Sequence, residues 1–133
     1  METIRKINDD LAISGQITIE QLPQIAEDGF KSILNLRSTD EPGVLLDEES
    51  KAEQLGLEYT NLPFQVETVS DEIIIRVLQQ IHRLPKPVLV HCDNAIRAAA
   101  ISLIYISTRQ GATLEEAFSQ ASRLGLFGVL SQA

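Results

Sequence analysis

The sequence predicts an α/β fold with a mostly parallel central sheet flanked by helices, and three observations carry that expectation. Short apolar runs of extended character alternate along the chain with segments of helical periodicity. One run, Val88 to Val90, is wholly apolar, as expected of a strand covered on both faces of a sheet. Capping residues and glycines mark where the helices between the runs start and stop.

Taken in order, Leu11 to Ile13 makes a first short strand. Thr18 and Gln21 have the spacing of a capping box, so a helix runs from there to about Asp28, where Gly29 stops it. Phe30 to Leu36 is the next strand. Glu48 to Leu55 is polar enough for a surface helix ending at Gly56, and Leu57 to Leu62 returns to an extended pattern that Pro63 interrupts. A loop from Phe64 to Val69 leads to Ser70, the N-cap of a helix in which Ile74, Val77, Leu78 and Ile81 recur at helical spacing up to Leu84. Pro85 and Pro87 end it. Val88 to Val90 is then the central strand, and Arg97 to Arg109, rich in Ala, Ile and Leu, is a buried helix. A last helix begins at Thr113, capped reciprocally by Glu116, and ends near Leu124 before Gly125. The apolar tail around Leu126 to Leu130 is expected to pack back on the fold rather than cover a dimer surface.

Length and composition narrow the function. The 133 residues, without repeats or Gly/Ser linkers, are expected to form a single domain spanning 1–133. No run approaches the roughly 18 consecutive apolar residues of a membrane span, so no membrane partner is expected. The start, METIRKINDD, lacks the apolar stretch of a secretory signal, and the single cysteine fits a reducing compartment. The expected location is the cytoplasm. A net charge of −8 argues against a nucleic-acid partner, and it requires any anion site to be local. The two histidines, His82 and His91, fall on different elements, so no metal site is expected, and no cofactor either. His82 reads as a surface residue. The sequence sets no oligomeric state.

The segment VLVHCDNAIRA, Val88 to Ala98, carries the chemistry. A lone cysteine after an apolar strand is ordinarily a small buried hydrophobe. Here the strand is followed by a tight loop, an arginine five positions on and then a helix. Loop N–H groups and the helix N-terminus supply partial positive charge, and Arg97 offers a planar fork for two oxygens of a tetrahedral oxyanion. That field favours the thiolate of Cys92 as a nucleophile. His91 is placed to orient the loop or support the thiolate, and Asp93, Asn94, Ala95, Ile96 and Ala98 complete the expected substrate-binding loop.

VLVHC, a short loop and Arg97 resemble the signature of the protein tyrosine and dual-specificity phosphatases, His-Cys, five residues, then Arg. Only four residues intervene here. The stretch SGQITIEQLPQIAEDGFKSILNLRSTDEP and the segment YTNLPF resemble a small bacterial family of phosphatase-like domains, also found in beta-lactamase hydrolase-like proteins, which share the four-residue spacing. The similarity runs from about Leu11 to Gly111.

The resemblance implies a cysteine-phosphatase fold and a phosphorylated substrate, whether a phosphoprotein or a small phosphomonoester. Cys92 would form a cysteinyl-phosphate, Arg97 and the loop amides would hold its oxygens, and an upstream acid would protonate the leaving group. The family acid is an Asp on the loop after the strand ending near Leu62, where this chain reads PFQVETVSDE; Glu67 is the best substitute by position and chemistry. Asp71 and Glu72 instead suit the first turn of the following helix. Three departures weigh against efficient turnover. Ala95 stands for the usual loop glycine, Ala98 for the Ser or Thr after the arginine, and Asp93 puts a carboxylate beside the nucleophile. Arg37 and Glu41, in NLRSTDEP, also match the family pattern, either as an ion pair supporting the site or as a solvated surface pair. Two further readings stand beside the phosphatase: rhodanese-like sulfur transfer through a Cys92 persulfide, and a non-catalytic module that binds phosphate or phosphoprotein.

Overall fold

The computed structural model describes residues 3–125; the tail around Leu126 to Leu130 lies outside them. Five strands, β1 (Arg5–Lys6), β2 (Leu11–Ser14), β3 (Ser32–Asn35), β4 (Glu58–Asn61) and β5 (Val88–His91), form one sheet in the order β1-β2-β5-β3-β4. β2, β5, β3 and β4 run parallel, and β1 is antiparallel to β2 at the edge. The α/β, mostly parallel sheet is therefore as expected, with β5 in the middle. The helices are α1 (Leu22–Glu27), α2 (Glu48–Gln54), α3 (Asp71–Arg83), α4 (Ile96–Arg109) and α5 (Leu114–Arg123). Among the described residues no helix is long and apolar enough to cross a membrane.

Strand alternation divides the core into two layers. Leu11, Ile13, Leu34, Val88 and Val90 face Ile74, Val77 and Ile81 of α3 and Ala98, Ile101 and Ile104 of α4. Ala12, Ile33 and Leu89 face the other way, against Leu22 and Ile25 of α1 and Ala52 of α2. Continuing that alternation past β5, Cys92 joins the α3/α4 layer. His91 bonds to Glu48, the first residue of α2.

Local chemistry sets the element ends. Thr18 with Gln21 and Thr113 with Glu116 form complete capping boxes, and the Ser70 hydroxyl accepts from the Ile73 amide at the start of α3. The helix expected directly after Thr18 begins instead as a 3₁₀ turn, Ile19–Gln21. The α-helical part starts at Leu22, with Pro23 in its first turn, where the missing N–H costs nothing. Two features depart from the sequence reading. β1 is an added edge strand. α2 is no mere surface helix, because Glu48 and Ala52, one turn apart, are buried on its inner face.

Candidate active site

The sheet brings the connections after β2, β3, β4 and β5 together at the carboxyl ends of its parallel strands, where α/β folds bind ligands. Cys92, the first residue beyond β5, is fully buried, and its amide donates to the Ser14 carbonyl at the end of β2 (3.3 Å). The turn to α4 is completed by Ala95 in the left-handed conformation, φ 73°. An L-residue with a Cβ is strained there by roughly 1–2 kcal/mol, partly offset by the 0.5–1 kcal/mol of extra backbone entropy that a glycine would lose. Ala95→Gly is therefore expected to stabilise the protein by about 0.5–1 kcal/mol in urea unfolding at unchanged m. A destabilised variant would show that the Ala95 methyl packs usefully.

Arg97, in the first turn of α4, is only 6% exposed. Its Nη1 donates to Glu41 Oε2 (2.9 Å), the Phe64 carbonyl (2.9 Å) and the Leu36 carbonyl (3.3 Å), and Nη2 donates to Glu41 Oε1 (2.8 Å). The guanidinium is thus fixed by groups following β3 and β4. Glu41 also accepts from Arg37 Nε (3.1 Å) and from the Ser38 amide (2.9 Å). Its hydrogen bond to Arg97, outweighing burial and aided by Ser38 and Arg37, lowers its pKa to about 2. Arg97 is correspondingly held above its ordinary range, through Glu41 first and against burial. Arg37 and Glu41 are therefore a buried support of the loop, with side chains 5% and 12% exposed, and not a solvated pair.

A second polar chain lies behind the loop. His91 Nε2 is 2.6 Å from Glu48 Oε2, and both side chains are buried. Glu48 also accepts from the Tyr59 hydroxyl and from Gln16 Nε2 (2.7 Å). Burial pushes its carboxyl upward, but these donors, His91 foremost, hold it below the usual range. Burial and the neighbouring Glu48 push the Tyr59 phenol well up, so it stays a neutral donor. Gln16 accepts from Arg37 Nη1 (2.7 Å), and Arg37 Nη2 donates to the Pro42 carbonyl. An unbroken relay, His91–Glu48–Gln16–Arg37–Glu41–Arg97, therefore links the residue before the cysteine to the arginine after it. His91, expected in the substrate-binding loop, is instead buried against Glu48. Gln16, Glu48 and Tyr59 escaped the sequence reading, because the partner of a buried histidine lies far away in the chain and carries no spacing signal.

The remaining loop residues form the rim. Asp93, Asn94 and Ile96 are exposed, Ala95 is half-buried and Ala98 is buried. The Asp93 carboxylate accepts from the Asn94 amide (2.8 Å) and lies 3.2 Å from Arg97 Nη2, while the Asn94 side chain accepts from the Ile96 amide (3.1 Å). Two loop amides expected to face a ligand are thus engaged by the loop's own side chains. Glu67 is exposed on a 3₁₀ turn, Val66–Thr68, three residues beyond the Phe64 carbonyl that holds Arg97.

Residues 3–110 match the family described as the phosphatase-like domain of beta-lactamase hydrolase-like proteins. The chain is 33% identical over 107 residues to the beta-lactamase hydrolase-like protein of Agrobacterium fabrum, covering 78% of this chain and 25% of that protein. It therefore spans about a quarter of the length of the curated relatives it matches. Among solved structures it is similar to a Shewanella putrefaciens protein assigned as a phosphatase, with TM-score 0.75 and 21% identity over 87% of this chain and 75% of that one. It is also similar to P. aeruginosa TpbA in complex with pTyr, with TM-score 0.70 and 18% identity over 96% and 76% of the two chains. The cysteine-phosphatase fold expected from the resemblance is the fold observed.

Proposed function

The chain belongs to the family of phosphatase-like domains of beta-lactamase hydrolase-like proteins, and from that premise we propose that it is a cysteine-dependent phosphomonoester hydrolase of the tyrosine/dual-specificity type. One observation carries the reading. Cys92 at the end of the central strand and Arg97 in the first turn of the next helix share one loop, and both oxygens of Glu41 and two backbone carbonyls fix the guanidinium. In-line attack needs that geometry set before substrate arrives. The Cys92 thiolate attacks phosphorus, the sulfur–phosphorus bond forms, and the ester oxygen departs with a proton from Glu67. Water, deprotonated by the same carboxylate, then displaces sulfur and releases phosphate. Arg97 and the helix N-terminus carry the charge that builds on the equatorial oxygens. Glu41 and His91 position the loop without touching substrate.

A paired assay tests this reading. Hydrolysis of p-nitrophenyl phosphate without sulfur transfer from thiosulfate to cyanide is the expected result, and sulfur transfer alone would replace the phosphatase by a rhodanese-like activity. Glu67→Gln is expected to slow hydrolysis of alkyl phosphates about a hundredfold, with a much smaller effect on p-nitrophenyl phosphate, whose leaving group needs no proton. An equal effect on both would remove Glu67 as the acid.

A second reading has its own support. Asp93 already occupies the Asn94 amide and one Arg97 nitrogen, and Ala98 offers no hydroxyl to the departing sulfur. A module that binds a phosphorylated ligand without turning it over would have this loop. Vanadate binding with no hydrolysis of any phosphomonoester would identify it.

A further inference from the structure

We infer that this site selects phosphomonoesters on polypeptide segments flanked by basic or neutral residues and rejects polyphosphorylated small molecules. The inference rests on the reading of Cys92 and Arg97 as a phosphoester site, and it concerns what surrounds them. Three connections border the loop at 92–95, namely 15–18 after β2, 36–47 after β3 and 62–70 after β4. Together with the loop they carry Asp40, Asp47 and Glu67, besides Glu41 and Asp93, which already pair with Arg97, and Asp71 and Glu72 follow at once in the first turn of α3.

Their only cation is Arg37, which is buried and bonded to Glu41, Gln16 and the Pro42 carbonyl. Arg76, one turn into α3, is engaged by Glu72 at 3.1 Å, and Lys51, one turn into α2, is exposed on a helix whose first turn carries Glu48 and Glu49. The exposed cations Lys31, Arg83 and Arg109 lie at or beyond the opposite ends of the strands and helices. Among the described residues Arg97 is the cation that shares the loop with Cys92, and it already shares Glu41 with Arg37.

A second phosphate on the substrate would meet more carboxylates than cations, whereas lysine or arginine beside the phosphorylated residue would meet carboxylates of opposite sign. Ile96, 45% exposed on the rim, adds an apolar contact suited to a ring or alkyl stem beside the phosphate. Charges about 10 Å apart at a wet surface each contribute modestly, but several of one sign add.

The test compares phosphotyrosine peptides of equal length flanked by two lysines or by two glutamates on each side. Binding to the Cys92→Ser protein is measured by fluorescence anisotropy, and kcat/KM on the unaltered protein, with inositol hexakisphosphate as competitor. The lysine-flanked peptide is expected to be favoured about tenfold at low salt, with the preference shrinking as ionic strength rises and largely removed by Asp40→Lys with Asp71→Lys. Inositol hexakisphosphate should compete poorly. Equal affinities, a preference for glutamate or tight inositol hexakisphosphate binding would overturn the inference while leaving the assignment of Cys92 and Arg97 standing. Absence of both peptide binding and p-nitrophenyl phosphate hydrolysis would overturn the two together.

Discussion

Cys92→Ser is expected to lower p-nitrophenyl phosphate hydrolysis by about ten-thousandfold or more, because the sulfur is the only nucleophile in the loop and removing one member of a concerted set removes nearly all of its effect. The exchange of sulfur for oxygen leaves one small buried group in place of another, so the fold should persist. Cys92 is buried in the α3/α4 core layer, and the cost of the hydroxyl there is expected to be about 1–2 kcal/mol. Rate and stability can therefore be separated. Circular dichroism and urea unfolding should show a folded protein at concentrations where turnover has vanished. Hydrolysis within tenfold of the unaltered protein would mean that another group attacks phosphorus.

The second large effect is on stability, at Glu41→Gln. Glu41 is the carboxylate shared by two buried guanidiniums, at 2.8 and 2.9 Å to Arg97 and 3.1 Å to Arg37. An amide of the same shape keeps one acceptor and faces the second nitrogen with its own N–H, so two buried cations lose their counter-charge. A loss of about 3 kcal/mol at neutral pH is expected. The pH dependence gives an independent measure. Glu41 has its pKa lowered from 4.5 to about 2 on folding, so its contribution is fully present above pH 4.5 and is lost as pH falls from there towards 2. The shift corresponds to on the order of 3 kcal/mol. Glu48, also lowered, adds a loss of the same sign in acid. The unaltered protein should therefore lose stability steeply below pH 4.5, and Glu41→Gln should lose less across that window because part of the loss is already built in. Parallel pH profiles would show that Glu41 is not the group responsible.

Much of the fold could be read in the sequence because local chemistry and periodicity agree there. The Thr113–Glu116 box, the Ser70 cap, the apolar face of α3 and the uninterrupted Val88–Val90 run each specify an element without help from elsewhere. β1 could not be read that way, because Arg5 and Lys6 are polar and exposed and pair with β2 through the backbone alone. The candidate nucleophile and clamp were legible because strand, turn and helix enclose both within a few residues. Their supports were not. Glu48 and Tyr59 look like surface residues in polar stretches, and only the sheet brings them to His91. Arg37 and Glu41 were visible as a pair, but their bonds to Gln16 and to Arg97 of α4 join residues far apart in the chain.

The relay from His91 to Arg97 also bears on folding kinetics. Its members, Gln16, Arg37, Glu41, Glu48, His91 and Arg97, come from segments scattered over much of the chain, and the parallel pairing of β2 with β5 sets Leu11 against Val88, across the intervening β3 and β4. Contacts of such high sequence separation are slow to form, because loop-closure entropy opposes them until the intervening structure has collapsed. The loop should therefore acquire its ligand affinity only in the last step of assembly. An oxyanion that binds it would then slow global unfolding and leave early refolding rates unchanged.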